Sequence, residues 1–242
     1  MDRHFHHELE TLRDRLSEMA GRAETALVKS IEALKTRDTK LAEEVKAEDS
    51  AIDRIELQIE SQSLSFLGLQ QPVARDLRFL VAAIRISNDL ERIGDHAVNI
   101  AQSAIRLSAL PNSKPLEDIP MMADRTITML RDAVTAWLNG DAATARRICE
   151  RDVEIDGWKA KIFAKLSGGM VQAPDSVPRA LELLLVSRNL ERVADLATNI
   201  AEEAIFVAEA RVIKHHAEEV GLPPGQESPG QGTSTGGRPA SR

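Results

Sequence analysis

Residues 87–101 read SNDLERIGDHAVNIA, and residues 187–201 read SRNLERVADLATNIA. Nine of the fifteen positions agree without a gap, and both stretches contain Leu-Glu-Arg-x-x-Asp-x-Ala-x-Asn-Ile-Ala. A chain that writes one acidic stretch twice at this spacing points to a duplicated structural unit.

Around the first copy the pattern is helical. Phe5, Leu9, Leu12, Leu16, Met19, Ala23 and Ala26 recur at alternating steps of four and three, the seam of a long bundled helix. Asp38 is placed to cap a second helix carrying Leu41, Val45, Ile52, Ile55 and Ile59, which is expected to end near Gly68. Pro72 opens a third helix that contains the quoted stretch and runs to about Leu107. The segment LPNSKPLEDIP, residues 110–120, holds three prolines and reads as a linker.

The second half repeats the plan. A helix from Met121 to Leu138 meets Asn139-Gly140, Asp141 caps the next, and Ser167-Gly168-Gly169 is expected to stop it. A last helix starts around Pro174 and Pro178 and continues to about Ile213. At an offset of 103 residues Asp38, Asp49, Ile52 and Asp53 fall on Asp141, Asp152, Ile155 and Asp156. The expectation is all-α: a tandem repeat of two antiparallel three-helix bundles with six long helices. The first repeat spans 1–109, the linker 110–120, the second repeat 121–220, and 221–242 forms a disordered tail of Gly, Pro, Ser, Thr and Gln.

Composition narrows the function. A net charge of −7 with 3% aromatic residues and no Tyr disfavours nucleic acid, which is bound by basic and stacking surfaces, and disfavours an anionic membrane surface. Cys149 is the single cysteine, so there is no internal disulfide and no thiolate metal site. With no signal pattern and no apolar run of the roughly 18–20 residues a spanning helix needs, the expected location is cytoplasmic.

On a helical wheel with Glu91 at zero, Asp95 falls near 40°, Asn88 near 60° and Asn99 near 80°, at about 100° per residue. Leu77, Leu80, Ile84, Val98 and Ile105 occupy the same sector, so the acids are expected inside the core-facing stripe. Glu191, Asp195 and Asn199 repeat the arrangement, with Glu202 added. In an antiparallel hairpin folded near Pro72, Asp53 lies level with Glu91 and Asp49 with Asp95. Folded near Pro174, Asp156 lies level with Glu191 and Asp152 with Asp195. Glu56 and Glu60 border the same seam. Four carboxylates at one level cannot all ionise without a cation. Oxygen-only ligands suit a hard ion. The competing reading is a set of ion pairs with Arg92, Arg188 and Arg192 in a purely structural bundle. A ferritin-like carboxylate-bridged di-metal oxidase is a third reading, but it expects Glu-x-x-His, and none of the six histidines follows a Glu at that spacing. All six are read as exposed helix-end residues, Trp137 and Trp158 as packing, and Arg75, Asp76 and Arg78 as a first turn or a partner-facing patch.

The doubled Glu-x-x-x-Asp helices, the opening FHHELETLRDRLSEMA and the segment PVARDLRFLVAAIRISNDLERIGDHAVNIA resemble the PhoU family of phosphate-transport regulatory proteins. The resemblance covers roughly residues 5–213. It implies a non-catalytic negative regulator that signals phosphate sufficiency between the ATPase subunit of a phosphate ABC transporter and a sensor histidine kinase. It also implies a homodimer associated peripherally with that membrane complex, and metal clusters (Mg, Mn, Fe or Zn) on the bundle surface. The family's Glu-x-x-x-Asp motif falls here on Glu91 and Asp95, then on Glu191 and Asp195. The second copy departs at Arg188, Asn189 and Ala194, so the two clusters are expected to differ in nuclearity or affinity.

Overall fold

Long runs of helix formers with apolar residues every three or four positions leave the chain little choice but to bundle. The computed structural model describes residues 2–69, 72, 74–111 and 117–212, with side chains from residue 7. Seven α-helices are found there: α1 Asp2–Thr36, α2 Thr39–Leu69, α3 Ala74–Ser108, α4 Asp118–Asn139, α5 Ala142–Glu150, α6 Asp152–Gln172 and α7 Val177–Glu209. The described residues contain no strand. Six helical rods are thus written in seven segments, because the fifth rod is broken at Arg151. The expected disordered tail, and Ile213 at the expected end of the last helix, lie outside the described residues.

Contacts between neighbouring rods fix their directions. Lys29 pairs with Glu48 and Arg15 with Gln62, so α1 and α2 run antiparallel. Arg151 pairs with Asp132 and Lys165 with Asp118, so α6 runs antiparallel to α4. Between the repeats, Arg85 pairs with Glu203, His96 with Asn189 and Arg106 with Glu182; as one number rises the other falls, and α3 runs antiparallel to α7. α3 packs on α1, α2 and α7, while α7 packs on α3, α4, α5 and α6. The two acid-bearing helices therefore form the spine shared by both bundles. Both helices also bury rows of alanine, including Ala83, Ala97, Ala101 and Ala104 on α3 and Ala194, Ala197, Ala201 and Ala204 on α7. Small side chains let the helix axes approach closely.

The duplication extends to the turns. Asp38 Oδ1 accepts from the Lys40 and Leu41 amides at 2.9 and 3.2 Å, and Asp141 Oδ1 accepts from the Thr144 amide at 2.9 Å. The residue before each cap is left-handed: Arg37 at φ 60° and Gly140 at φ 66°. Glycine adopts this region freely, whereas an arginine there needs support. Arg37 has it, donating to the carbonyls of Ser108 and Leu110 at the end of α3.

Four sequence expectations need correction. The Asp141-capped helix breaks at Arg151, whose amide bonds Ile148 O at 3.0 Å in a tighter turn while its guanidinium reaches Asp132 at 2.7 Å. Its second part does not stop at Gly168-Gly169 but runs to Gln172. Two glycines cost about 1 kcal/mol each, and the true stop is Ala173, extended before Pro174 as sterics demand. The linker gives up its last residues to α4, which starts at Asp118 and takes Pro120 into its first turn, where proline's missing N–H does no harm. The last helix ends at Glu209, with Ala210 left-handed at φ 58°.

Candidate functional site

The acids lie on the rim of the core rather than inside its stripe. Buried positions of α3 include Leu80, Ala83, Ile86, Leu90, Ile93, Ala97 and Ile100, a sector centred roughly 110° from Glu91. Of the residues expected beside the acids, Leu77 is exposed and Ile84, Val98 and Ile105 are half-buried. The reason is that α3 is gripped by three helices, which moves its apolar centre toward α1 and α7. The carboxylates are left at the groove with α2. Glu91 and Asp49 are half-buried there, while Asp53, Asp95 and Asn99 are exposed.

The hairpin register holds. A Cβ on Gly94 would stand 3.0 Å from Ile52 Cδ1 and 3.3 Å from Asp49 Oδ1, so α2 meets α3 at the expected level. A methyl added there would press on the ends of both side chains, and the second repeat has Ala194 instead. Burial, followed by the charges of Asp53 and Asp95, raises the Asp49 carboxyl above the ordinary range. Burial also raises Glu91, aided by Asp95, Glu56, Asp53 and Asp49. Every charged group named as acting on these two is an anion. Glu56 belongs with them, since its charge acts on Glu91. Its signal was present in the sequence, one turn beyond Asp53.

The second cluster assembles differently. Glu191 is 12% exposed and accepts from Lys159 Nζ at 2.8 Å, while Arg192 donates to Asp195 at 2.9 Å. Burial raises Asp195, Glu191 and Asp156 add to this, and Arg192 opposes it. These residues, except Asp195, join Arg188 and Phe163 around a recess of about 560 Å³ between α6 and α7. Asp152 and Glu202 act on Cys149, whose thiol is pushed up to about 11, chiefly by burial. Asn199 is exposed, one turn beyond Asp195.

The chemistry of the two donor sets now separates them. The first offers oxygen atoms only, and their desolvation and mutual repulsion disfavour the fully charged, unoccupied state. The second already carries its cations. In neither do three acid, histidine or cysteine side chains of the described residues converge on one point. Like charges hold carboxylates apart, and only a positive charge makes their approach favourable.

Among the described residues no histidine side chain joins either cluster, and His96 is not an exposed helix-end residue. It is half-buried in the middle of α3 and donates from Nδ1 to Asn189 Oδ1 at 2.9 Å across the spine. Of the others, His7 is exposed, the side chains of His4 and His6 are not described, and His215 and His216 lie outside the described residues. Trp137 packs as expected, stacked on Phe79 with centroids 5.4 Å apart. Trp158 lies under Lys161 Nζ at 4.5 Å. Asp76 sits in the first turn of α3, Arg75 lies beside Gly140, and the Nε of Arg78 is buried.

A duplicated three-helix bundle whose inner helices each present Glu-x-x-x-Asp to a neighbouring helix defines a class of paired-bundle proteins with carboxylate grooves. The PhoU domain matches the chain twice, over residues 16–104 and 119–204. The chain belongs to the PhoU family. It is 36% identical to the phosphate-specific transport system accessory protein PhoU homolog of Aquifex aeolicus, over 88% of this chain and 97% of that one. It is 38% identical to the homolog of Caulobacter vibrioides, over 81% and 85%. Among solved structures, PhoU from Pseudomonas aeruginosa superposes with a TM-score of 0.82 at 30% identity, covering 86% of this chain and all of that one. The phosphate transport system regulatory protein PhoU from Streptococcus pneumoniae gives 0.81 at 27%, covering 87% and 99%.

Proposed function

We propose that this protein is an accessory regulator of a phosphate transport system and represses the phosphate-starvation response when phosphate is plentiful. Its partners in this reading are the ATPase subunit of a phosphate ABC transporter and a sensor histidine kinase, which it meets from the cytoplasm as a homodimer. The single observation that supports it best is the double match to the PhoU domain, each copy spanning the paired helices that carry the acids. Among the described residues no helix is long and apolar enough to cross a membrane, which suits peripheral association.

The role is regulatory rather than catalytic. A di-metal oxidase would need histidine beside its carboxylates, and His96 is turned to Asn189 instead. The groove between α2 and α3 is read as a cation site held by Asp49, Asp53, Glu56, Glu91 and Asp95, with Asn99 one turn away. A hard divalent or trivalent ion supplies charge neutralisation there and links the two helices. What the chain itself does is hold the two acid rows at one level through the Gly94 approach.

Complementation tests the reading. In a bacterium lacking its own PhoU protein, this chain should restore repression of a phosphate-starvation reporter in high phosphate. Glu91→Gln with Asp95→Asn should leave the reporter at least several-fold derepressed at equal protein level. Full repression by the double variant would reduce the first groove to scaffolding, and no repression by the wild type would remove the regulatory reading.

A further inference from the structure

Beside the paired acids the two repeats differ in charge at two equivalent positions, and both differences act in one direction. The offset that aligns Asp53 with Asp156 aligns Glu56 with Lys159. In the first repeat Glu56 is one of the anions acting on Glu91. In the second, Lys159 Nζ instead donates to Glu191 Oε1 at 2.8 Å. A second exchange reinforces the first. Arg92 faces Asp89 three residues earlier, at 3.7 Å. The counterpart of Asp89 is Asn189, whose side chain is occupied by His96 and by the Leu185 carbonyl. With a neutral residue there, Arg192 turns to Asp195 at 2.9 Å and stands 3.7 Å from Glu191 Oε2. Five acids act on one another in the first groove, whereas in the second Glu191, Asp195 and Asp156 share their space with two cations.

We infer that the second acid cluster of this chain is closed to metal, with the Lys159 ammonium holding the place of the cation and Arg192 completing the neutralisation. Cation binding is thereby confined to the first repeat, an inference that takes its contrast from the function proposed above. Physically, a divalent ion approaching Glu191 meets a fixed positive charge already hydrogen-bonded to it. To bind, the ion must displace Lys159 from Glu191 Oε1 and Arg192 from Asp195, losing two charge-assisted hydrogen bonds. The one buried acceptor left without a hydrogen bond on Glu191, Oε2, already faces Arg192 Nε at 3.7 Å. The helix spacing agrees: Gly94 admits no Cβ without crowding Ile52 and Asp49, whereas its counterpart Ala194 is accommodated. Lys159 is a specificity-determining residue in this account, the reason one of two sequence-similar grooves responds to metal.

Equilibrium dialysis against Mn²⁺, with bound metal measured on the folded protein, tests this directly. Glu191→Gln with Asp195→Asn should leave bound Mn²⁺ unchanged, whereas Glu91→Gln with Asp95→Asn should weaken binding at least tenfold. Lys159→Glu restores the acidic pattern of the first repeat. Placed in the Glu91→Gln, Asp95→Asn background, it should bind at least tenfold more tightly than that background alone. Loss of Mn²⁺ in the Glu191, Asp195 variant, or no gain from Lys159→Glu, overturns the inference. If the wild type binds no Mn²⁺, the cation reading of the first groove fails, and the gain from Lys159→Glu still decides this one. A metal-free readout guards against a folding failure of that variant. In chelator at neutral pH, Lys159→Gln should lower the melting temperature, whereas Glu56→Gln at the equivalent position should raise it. The same sign for both would contradict the assigned roles.

Discussion

Glu91 and Asp118 show how the same carboxyl group takes opposite roles. Asp118 is buried, but Lys161 and Lys165 both reach it at 2.9 Å and hold its carboxyl below the ordinary range. Its charged form stabilises the fold above the unfolded-state pKa, and that contribution is lost on acidification through the lowered value. Glu91 is raised, so its charge works against the metal-free fold as pH climbs through the carboxylate range toward neutrality. Glu91→Gln in chelator should therefore raise the melting temperature at pH 7 by roughly 2 °C, a small electrostatic effect for a chain of this size. The gain should vanish near pH 4, where the wild-type carboxyl is protonated. A gain independent of pH would point to packing instead. The sequence made the acids legible because their spacing recurs. It misplaced them because a wheel for one helix cannot show that three neighbours shift the buried centre of α3.

At the scale of the element, the caps were readable and the breaks were not. Asp38 and Asp141 announce themselves by residue type and position. Asp141→Ala, which removes the bonds to the Thr144 amide and hydroxyl at 2.9 and 2.6 Å, should destabilise the chain measurably through the lost cap. Thermal or urea unfolding at pH 7 measures it. The break at Arg151 carries no glycine or proline. It depends on a guanidinium reaching Asp132 on another helix, which no local pattern reveals. Gly94 is the informative glycine. Replacing it with Ala gains about 1 kcal/mol of helix propensity and loses a comparable amount to crowding. Global stability should change by less than about 1 kcal/mol. The metal response should weaken all the same, because the extra methyl pushes on Asp49 Oδ1 and on the Ile52 terminus. Mn²⁺ titrations of Gly94→Ala beside the wild type check this, and an unchanged response would mean the groove tolerates a wider α2–α3 spacing.

For the whole chain, duplication was the most legible feature and the joining of the copies the least. The offset between repeats could be read by eye, down to the capping turns. The antiparallel spine of α3 and α7 could not, because its side-chain ties join residues about 76 to 118 positions apart. The Phe79–Trp137 stack likewise joins the first repeat to the second, with both rings buried. Phe79→Ala should cost about 3–5 kcal/mol. If the repeats unfold as one unit, the melt should remain a single transition at lower temperature; two transitions would show that each repeat stands alone. Melting the wild type in excess Mn²⁺ and in chelator at pH 7 decides whether the first repeat's carboxylates are a cation site in a phosphate-regulatory bundle. At about 100-fold over its dissociation constant the ion should contribute about 2.7 kcal/mol, raising the midpoint by roughly 5–10 °C. Glu91→Gln with Asp95→Asn should abolish the shift. Coincident wild-type midpoints with and without metal would contradict the claim and leave the acids as ordinary surface charge.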